Sequence, residues 1–198
     1  MKKTVLSVIC VMFGLMMLVS CSGNKAKVDN KALSKEFENA PKWVLDGGGA
    51  MEGGMAAVGS AQIGKAGMNF ARTEALANGR DELARQLSVK VKNMVKNFTQ
   101  TTGIGDDETV DRVSSQVSKQ VTNQTLNGSR QKDSWISPSS TYYVLVAVDP
   151  AILQESLKNS IQTSFKNEQA LWQQFQAKKA YDELDNEIKK EFGDFKTQ

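Results

Sequence analysis

Histidine is missing from the 198 residues, and cysteine occurs only twice, at Cys10 and Cys21. Without histidine there is no Ser-His-Asp triad and no His-ligated zinc site. Cys10 lies in an N-terminal segment that reads as removable, which leaves one thiol. No disulfide can then form within the mature monomer. Chemistry would fall to carboxylates, Lys, Ser, Thr or Tyr, which points away from an enzyme. A surplus of charge is lacking too. The chain carries 25 basic and 22 acidic residues, and loss of Lys2 and Lys3 brings the basic count to 23. That near-balance gives no electrostatic footprint for nucleic acid, so no nucleic-acid partner is expected. No cofactor is expected either.

What is present begins with an address. Lys2 and Lys3 precede an uncharged, largely apolar run from Thr4 to Cys21. A short basic head and an apolar core form the pattern of a secretory signal. The core is short of the ~20 apolar residues that a membrane-spanning helix needs. The run closes on Leu18-Val19-Ser20-Cys21, which matches the lipobox of bacterial lipoproteins. Small side chains sit next to the scissile bond between Ser20 and Cys21, and the Cys21 thiol takes the diacylglyceryl group. Each buried CH₂ contributes ~0.8 kcal/mol, so two or three acyl chains anchor a soluble domain stably. Ser22 follows. In a diderm host, the absence of Asp there resembles the pattern of sorting to the outer membrane. The expected organisation is a signal peptide at 1–20 and a lipidated tether at 21–40. An α+β domain at 41–150 and a long C-terminal amphipathic helix at 151–198 follow. The mature chain of about 178 residues is long enough for one real core.

Along the chain, Ser22–Asn39 is polar and lysine-rich, with a weak helix near Ala32–Glu38. Pro41-Lys42-Trp43-Val44-Leu45 opens the folded part. Residues 46–54 read as a glycine-rich loop and Met55–Ala61 as a strand of small residues, whose glycine suggests close helix approach. A long helix is predicted from Met68 to about Thr99. Its stripe is Leu76, Leu83, Leu87, Val91, Met94 and Phe98, and Ala71, Ala75 and Ala84 provide small contacts. A second helix starts at Asp106-Asp107-Glu108, acids placed at the positive end of its dipole. Its stripe is Val110, Val113, Val117 and Val121. After Asn127-Gly128, strands at 129–136 and 142–148 form a hairpin around Ser137-Pro138-Ser139-Ser140. The second of these is apolar on both faces and reads as central. Asp149-Pro150 is a cap followed by proline at the first helical position. From there helical periodicity runs through Leu153, Leu157, Ile161, Phe165, Trp172, Phe175, Leu184, Ile188 and Phe192. A single helix of that length would span roughly 60 Å. Either it breaks near Lys166–Gln169, or its end projects and packs on a protein partner or a second copy.

Some motifs invite chemistry. Gly59-Ser60-Ala61-Gln62-Ile63-Gly64-Lys65-Ala66 fits the phosphate-loop spacing between a strand and a helix. Ala66, however, stands where a magnesium-binding hydroxyl belongs, and no alternating strand–helix series surrounds it. Asp106, Asp107, Glu108 and Asp111 lack the spacing of a calcium loop and read as caps. Glu74, Asp81 and Glu82 beside Arg72, Arg80 and Arg85 read as a solvated face with helical ion pairs.

Pro41-Lys42-Trp43-Val44, Val58-Gly59-Ser60-Ala61, Ala71-Arg72-Thr73-Glu74-Ala75, Asn78–Ala84, Trp135 and Tyr142–Asp149 together resemble the LPP-twenty family of bacterial lipoproteins. The resemblance covers most of residues 41–150. It implies α+β architecture with a long helix on a small antiparallel sheet, outer-membrane anchorage and no known catalytic residues. The resulting expectation is a lipid-anchored envelope protein with a non-enzymatic structural, assembly or interaction role. A small-molecule or glycan-binding accessory would instead show a deep cleft lined by Trp43, Trp135 or Tyr143. A hydrolase would show two converging carboxylates, one holding its proton more tightly than usual.

Overall fold

The computed structural model describes residues 34–51 and 54–193. From Lys35 onward the described residues belong to one compact unit, which contains the sheet and the helices packed on it. The signal peptide, Ser20, Cys21 and most of the tether lie outside the described residues. Of the weak helix expected at Ala32–Glu38, residues 34–36 are helical.

The fold is α+β. Helix α1 (Lys42–Asp46) leads into strands β1 (Gly48–Met51) and β2 (Gly54–Gln62). Helices α2 (Met68–Thr102) and α3 (Asp107–Asn127) follow, then strands β3 (Arg130–Ile136) and β4 (Thr141–Ala147). Helices α4 (Pro150–Lys166), α5 (Gln169–Ala177) and α6 (Tyr181–Phe192) close the chain. The sheet is antiparallel throughout, in the order β1-β2-β4-β3. β4 is therefore central, as its apolar run predicts. Strand β1 was not legible: residues 46–54 read as a loop, yet Gly48–Met51 pairs with Gly54–Ala57. Glycines offer no side-chain alternation from which a strand could be read.

Helix α2 lies across one face of the sheet. Its buried line is Ala71, Ala75, Gly79, Leu83, Leu87, Val91, Met94 and Phe98. From Ala71 to Val91 the steps are all of four residues, so the line turns about the helix by roughly 40° per step. One helix thereby serves two partners, the sheet at its N-terminal half and other helices at its C-terminal half. Leu76 of the expected stripe is only half-buried against the core, and Gly79 occupies the line instead. At the C-terminal end Gly103 adopts φ 62°, and the Ile104 amide donates to the Thr99 carbonyl. Asp106 caps α3 through the Thr109 amide at 3.0 Å, and Asp149 caps α4 through Ala151 at 2.9 Å.

The C-terminal segment is helical and amphipathic, but in three pieces. It breaks at Asn167–Glu168, one of the two outcomes its length demands, and again at Lys178–Ala180, where Lys179 takes φ 49°. Its stripe is spent inside the chain. Leu171, Phe175, Leu184, Ile188 and Phe192 are all buried. Phe98, Phe165 and Phe175 meet with ring centroids 5.8–6.1 Å apart. The overhanging helix expected to recruit a partner is thus folded back on α2, because its apolar face gains more from that cover than from water. Residues 151–193 and residues 41–150 belong to one compact unit.

Candidate functional site

The sheet has a second face, turned away from α2. Ala56, Val58, Leu145 and Ala147 form a thin apolar patch there with Trp43. Phe37 lies over Trp135 and Tyr143, at 6.4 and 6.2 Å between ring centroids. The Trp43 indole donates to Asp133 Oδ2 at 2.8 Å. Glu36 accepts from the Ser139 amide at 3.1 Å and from its hydroxyl at 2.6 Å. Hydrogen bonds from Ser137 and Ser139 hold the Glu36 carboxyl below the usual Glu range. Burial, and then the negative Glu36, pushes the Tyr143 phenol up. The segment that reads as the end of the tether is therefore strapped to the sheet. Phe37, its sole aromatic before Trp43, was the available signal. Trp43, Trp135 and Tyr143 do not line a deep cleft; they pack with Phe37 and Asp133 instead.

Glycine explains the phosphate-loop look-alike. Gly59 sits within β2, and a Cβ there would fall 2.0 Å from the Ala75 carbonyl oxygen and 2.3 Å from the Gly79 nitrogen. A strand and a helix touch backbone to backbone at this point. The position a Gly59 side chain would take is filled by the backbone of α2, and Gly64–Gly67 is a reverse turn closed by a 3.0 Å backbone bond. The close approach that a glycine in a small-residue strand suggests is what the motif encodes.

Several acidic groups are engaged locally. Asp106 is held below the usual Asp range by the Thr109 amide, and Asp111 by its ion pair with Lys96. Glu82 is lowered by Arg85 and then by Gln86. Only Arg85 of the three arginines makes the expected helical ion pair. Arg72 and Arg80 reach across to Gln131 and the Ser129 hydroxyl, tying α2 to the start of β3. No group of three or more potential metal ligands occurs among the described residues. Trp172 stacks on Phe175 at 5.5 Å, and Tyr181 meets Phe175 edge-on at 4.7 Å, so a half-buried Trp172 and an exposed Tyr181 cover buried Phe175.

Open grooves lie on the surface of the described residues. One, of about 440 Å³, lies at the α2–α3 turn beside Lys96, Gly103 and Asp111. Another, of about 520 Å³, runs along β2 between Asp46–Gly47 and the side of α2 that carries Asn78 and Glu82. There the Asn78 amide donates to the Ser60 carbonyl at 2.9 Å. No helix among the described residues is long and apolar enough to cross a membrane.

The model of the family described as LPP20 lipoprotein matches residues 41–149, more than half of the chain, with all four strands and helices α1 to α3. No curated protein and no solved structure matches the chain significantly. The family marks the protein as a lipoprotein, associated with a membrane of the bacterial envelope through lipid. The chain belongs to the LPP20 lipoprotein family.

Proposed function

We propose that the protein is exported as a precursor, cut between Ser20 and Cys21, and acylated on Cys21. It is then held at the outer membrane, where it works as a non-enzymatic module that binds other envelope proteins. The observation that carries the non-enzymatic reading is that Glu36, Glu82, Asp106 and Asp111 are each tied to a structural partner, namely Ser139, Arg85, the Thr109 amide and Lys96. Glu36, Glu82, Asp106 and Asp111 are all lowered by structural partners. A general acid needs the opposite shift. The packed aromatics on the outer face likewise favour protein binding over a ligand cleft. Two acyl chains on Cys21 are sufficient for stable anchorage.

The test is a Cys21→Ser precursor in the native host. It should incorporate no labelled palmitate, and its α+β domain should leave the membrane fraction with its fold intact by circular dichroism. Persistent labelling would refute the anchor. A hydrolytic activity that disappears on Glu82→Gln, with the fold unchanged, would refute the non-enzymatic role.

A further inference from the structure

The two edges of the sheet are treated differently. β3, at one edge, carries Arg130, Lys132 and Asp133, and its register slips between Gln131 and Asp133. Charge and bulge are the usual means of keeping a sheet edge from pairing with another chain. At the other edge β1 is only four residues long and reaches no further along β2 than Ala57. The cause is local: Gly47 at φ 71° and Gly48 at φ 87° turn the chain out of the sheet into α1. A Cβ at Gly48 would lie 2.6 Å from the Ala56 carbonyl oxygen. Beyond that point no strand among the described residues pairs with this side of β2.

The ladder shows which groups face that side. Ile63 N–H donates to Ser140 and Val148 N–H to the Met55 carbonyl. In an antiparallel ladder, bonded residues alternate, so odd-numbered residues of β2 exchange with β4. Even-numbered ones point the other way. Ala56 meets Gly49 of β1, whereas the backbone groups of Val58, Ser60 and Gln62 point away from β4, and Val58 and Ser60 line the 520 Å³ groove. One of their carbonyls, that of Ser60, is met by the Asn78 side chain, which stands where a strand's amide would donate. The segment Val58-Gly59-Ser60-Ala61-Gln62 holds no charge and no proline.

We infer that the β2 edge over Val58–Gln62 is a docking site for an extended, uncharged segment of a partner protein. The segment adds as an antiparallel strand in line with β1. This rests on the interaction role proposed above and names its surface. A second copy of the chain is a poor occupant. Five paired residues span roughly 17 Å, and they cover far less than the ~1,200 Å² of a stable interface. The rim is charge-neutral, with Asp46 paired to Lys42 and Glu82 to Arg85, so an uncharged segment fits it. Phe70, 57% exposed, lies on the same row of α2 as Asn78 and Glu82 at four-residue spacing. It offers an apolar contact to the N-terminal end of the incoming strand.

The probe is an acetylated, amidated Val-Thr-Val-Thr-Val peptide titrated to millimolar concentration into the mature chain, with hydrogen exchange followed by NMR. The Val58, Ser60 and Gln62 amides should exchange at least tenfold more slowly at saturation. The same peptide N-methylated on its bonding residues should leave them unchanged. Equal protection by both peptides, or by neither, overturns the site. A photo-crosslinker at Gln62 or at exposed Val89, installed in the lipoprotein in intact envelopes, separates the edge site from the broader interaction role. Crosslinks to another protein from Gln62 support the edge. Crosslinks from Val89 alone, or from Gln62 to a second copy of this chain, sink the edge proposal and leave the interaction role. None from either position counts against both.

Discussion

The two halves of α2 are packed by opposite means. The N-terminal half meets the sheet through Ala71, Ala75 and Gly79, with Gly59 opposite. The C-terminal half meets α3, α4, α5 and α6 through Leu87, Val91, Met94 and Phe98, residues among the most buried in the chain. In the first half, affinity between layers comes from backbone approach, which leaves no slack for an added atom. In the second it comes from interdigitated side chains, whose removal leaves a hole. One half should therefore fail on enlargement and the other on truncation.

Phe165→Ala should be the most damaging change, because it opens a cavity between Phe98 and Phe175. A loss of about 4 kcal/mol in urea unfolding is expected. If the loss is below about 1 kcal/mol, the C-terminal helices do not need this cluster. Gly59→Ala tests the other half. The new methyl meets backbone rather than a flexible side chain, so about 3 kcal/mol should be lost. Gly79→Ala sharpens the comparison from the helix side. Its methyl would sit 2.7 Å from Val146 Cγ2, but Ala gains ~1 kcal/mol of helix propensity over Gly. The net loss should be about 1 kcal/mol. A larger loss for Gly79→Ala than for Gly59→Ala would reverse the assignment of which backbone sets the contact.

Smaller effects are expected away from α2. The Ser160 hydroxyl is buried with no hydrogen-bond partner among the described residues. Ser160→Ala should thus be neutral, or stabilising by up to about 1 kcal/mol. The smallest effect concerns Glu36 on the outer face. Its carboxyl is lowered in the folded chain, so the strap is held fully above the ordinary Glu value of 4.5 and is lost as pH falls through the lower folded value. The Ser139 amide resonance should titrate below pH 4.5, and Glu36→Gln should abolish that titration without unfolding the core.

Much of this was legible in the sequence, and for physical reasons that act over a few residues. The valines of α3 at steps of three and four specify a helix despite their modest propensity. Asp106 and Asp149 announce helix starts through caps that need only the next turn. Gly59 could be read as a point of close approach. Its partner Gly79 could not, since the two are brought together only by the pairing of layers. Likewise β1 and the aromatic strap around Phe37 carry little local pattern. The Lys178–Ala180 break has neither proline nor glycine to mark it, and it follows from the need to bury Leu184, Ile188 and Phe192 of the next helix.

For this protein the sequence by itself settled periodicity, capping and the inventory of reactive groups, including the absence of histidine and the single thiol left after the apolar leader. Each depends on composition or on neighbours within about one helical turn. Only the tertiary structure decided that the C-terminal apolar stripe is covered by its own chain, and that one edge of the sheet is a charged, bulged strand while the other ends in a strand of four residues. Those outcomes depend on which distant residues share a surface. Burial of apolar area and backbone pairing are settled among all the elements at once, and no single stretch of sequence contains that competition.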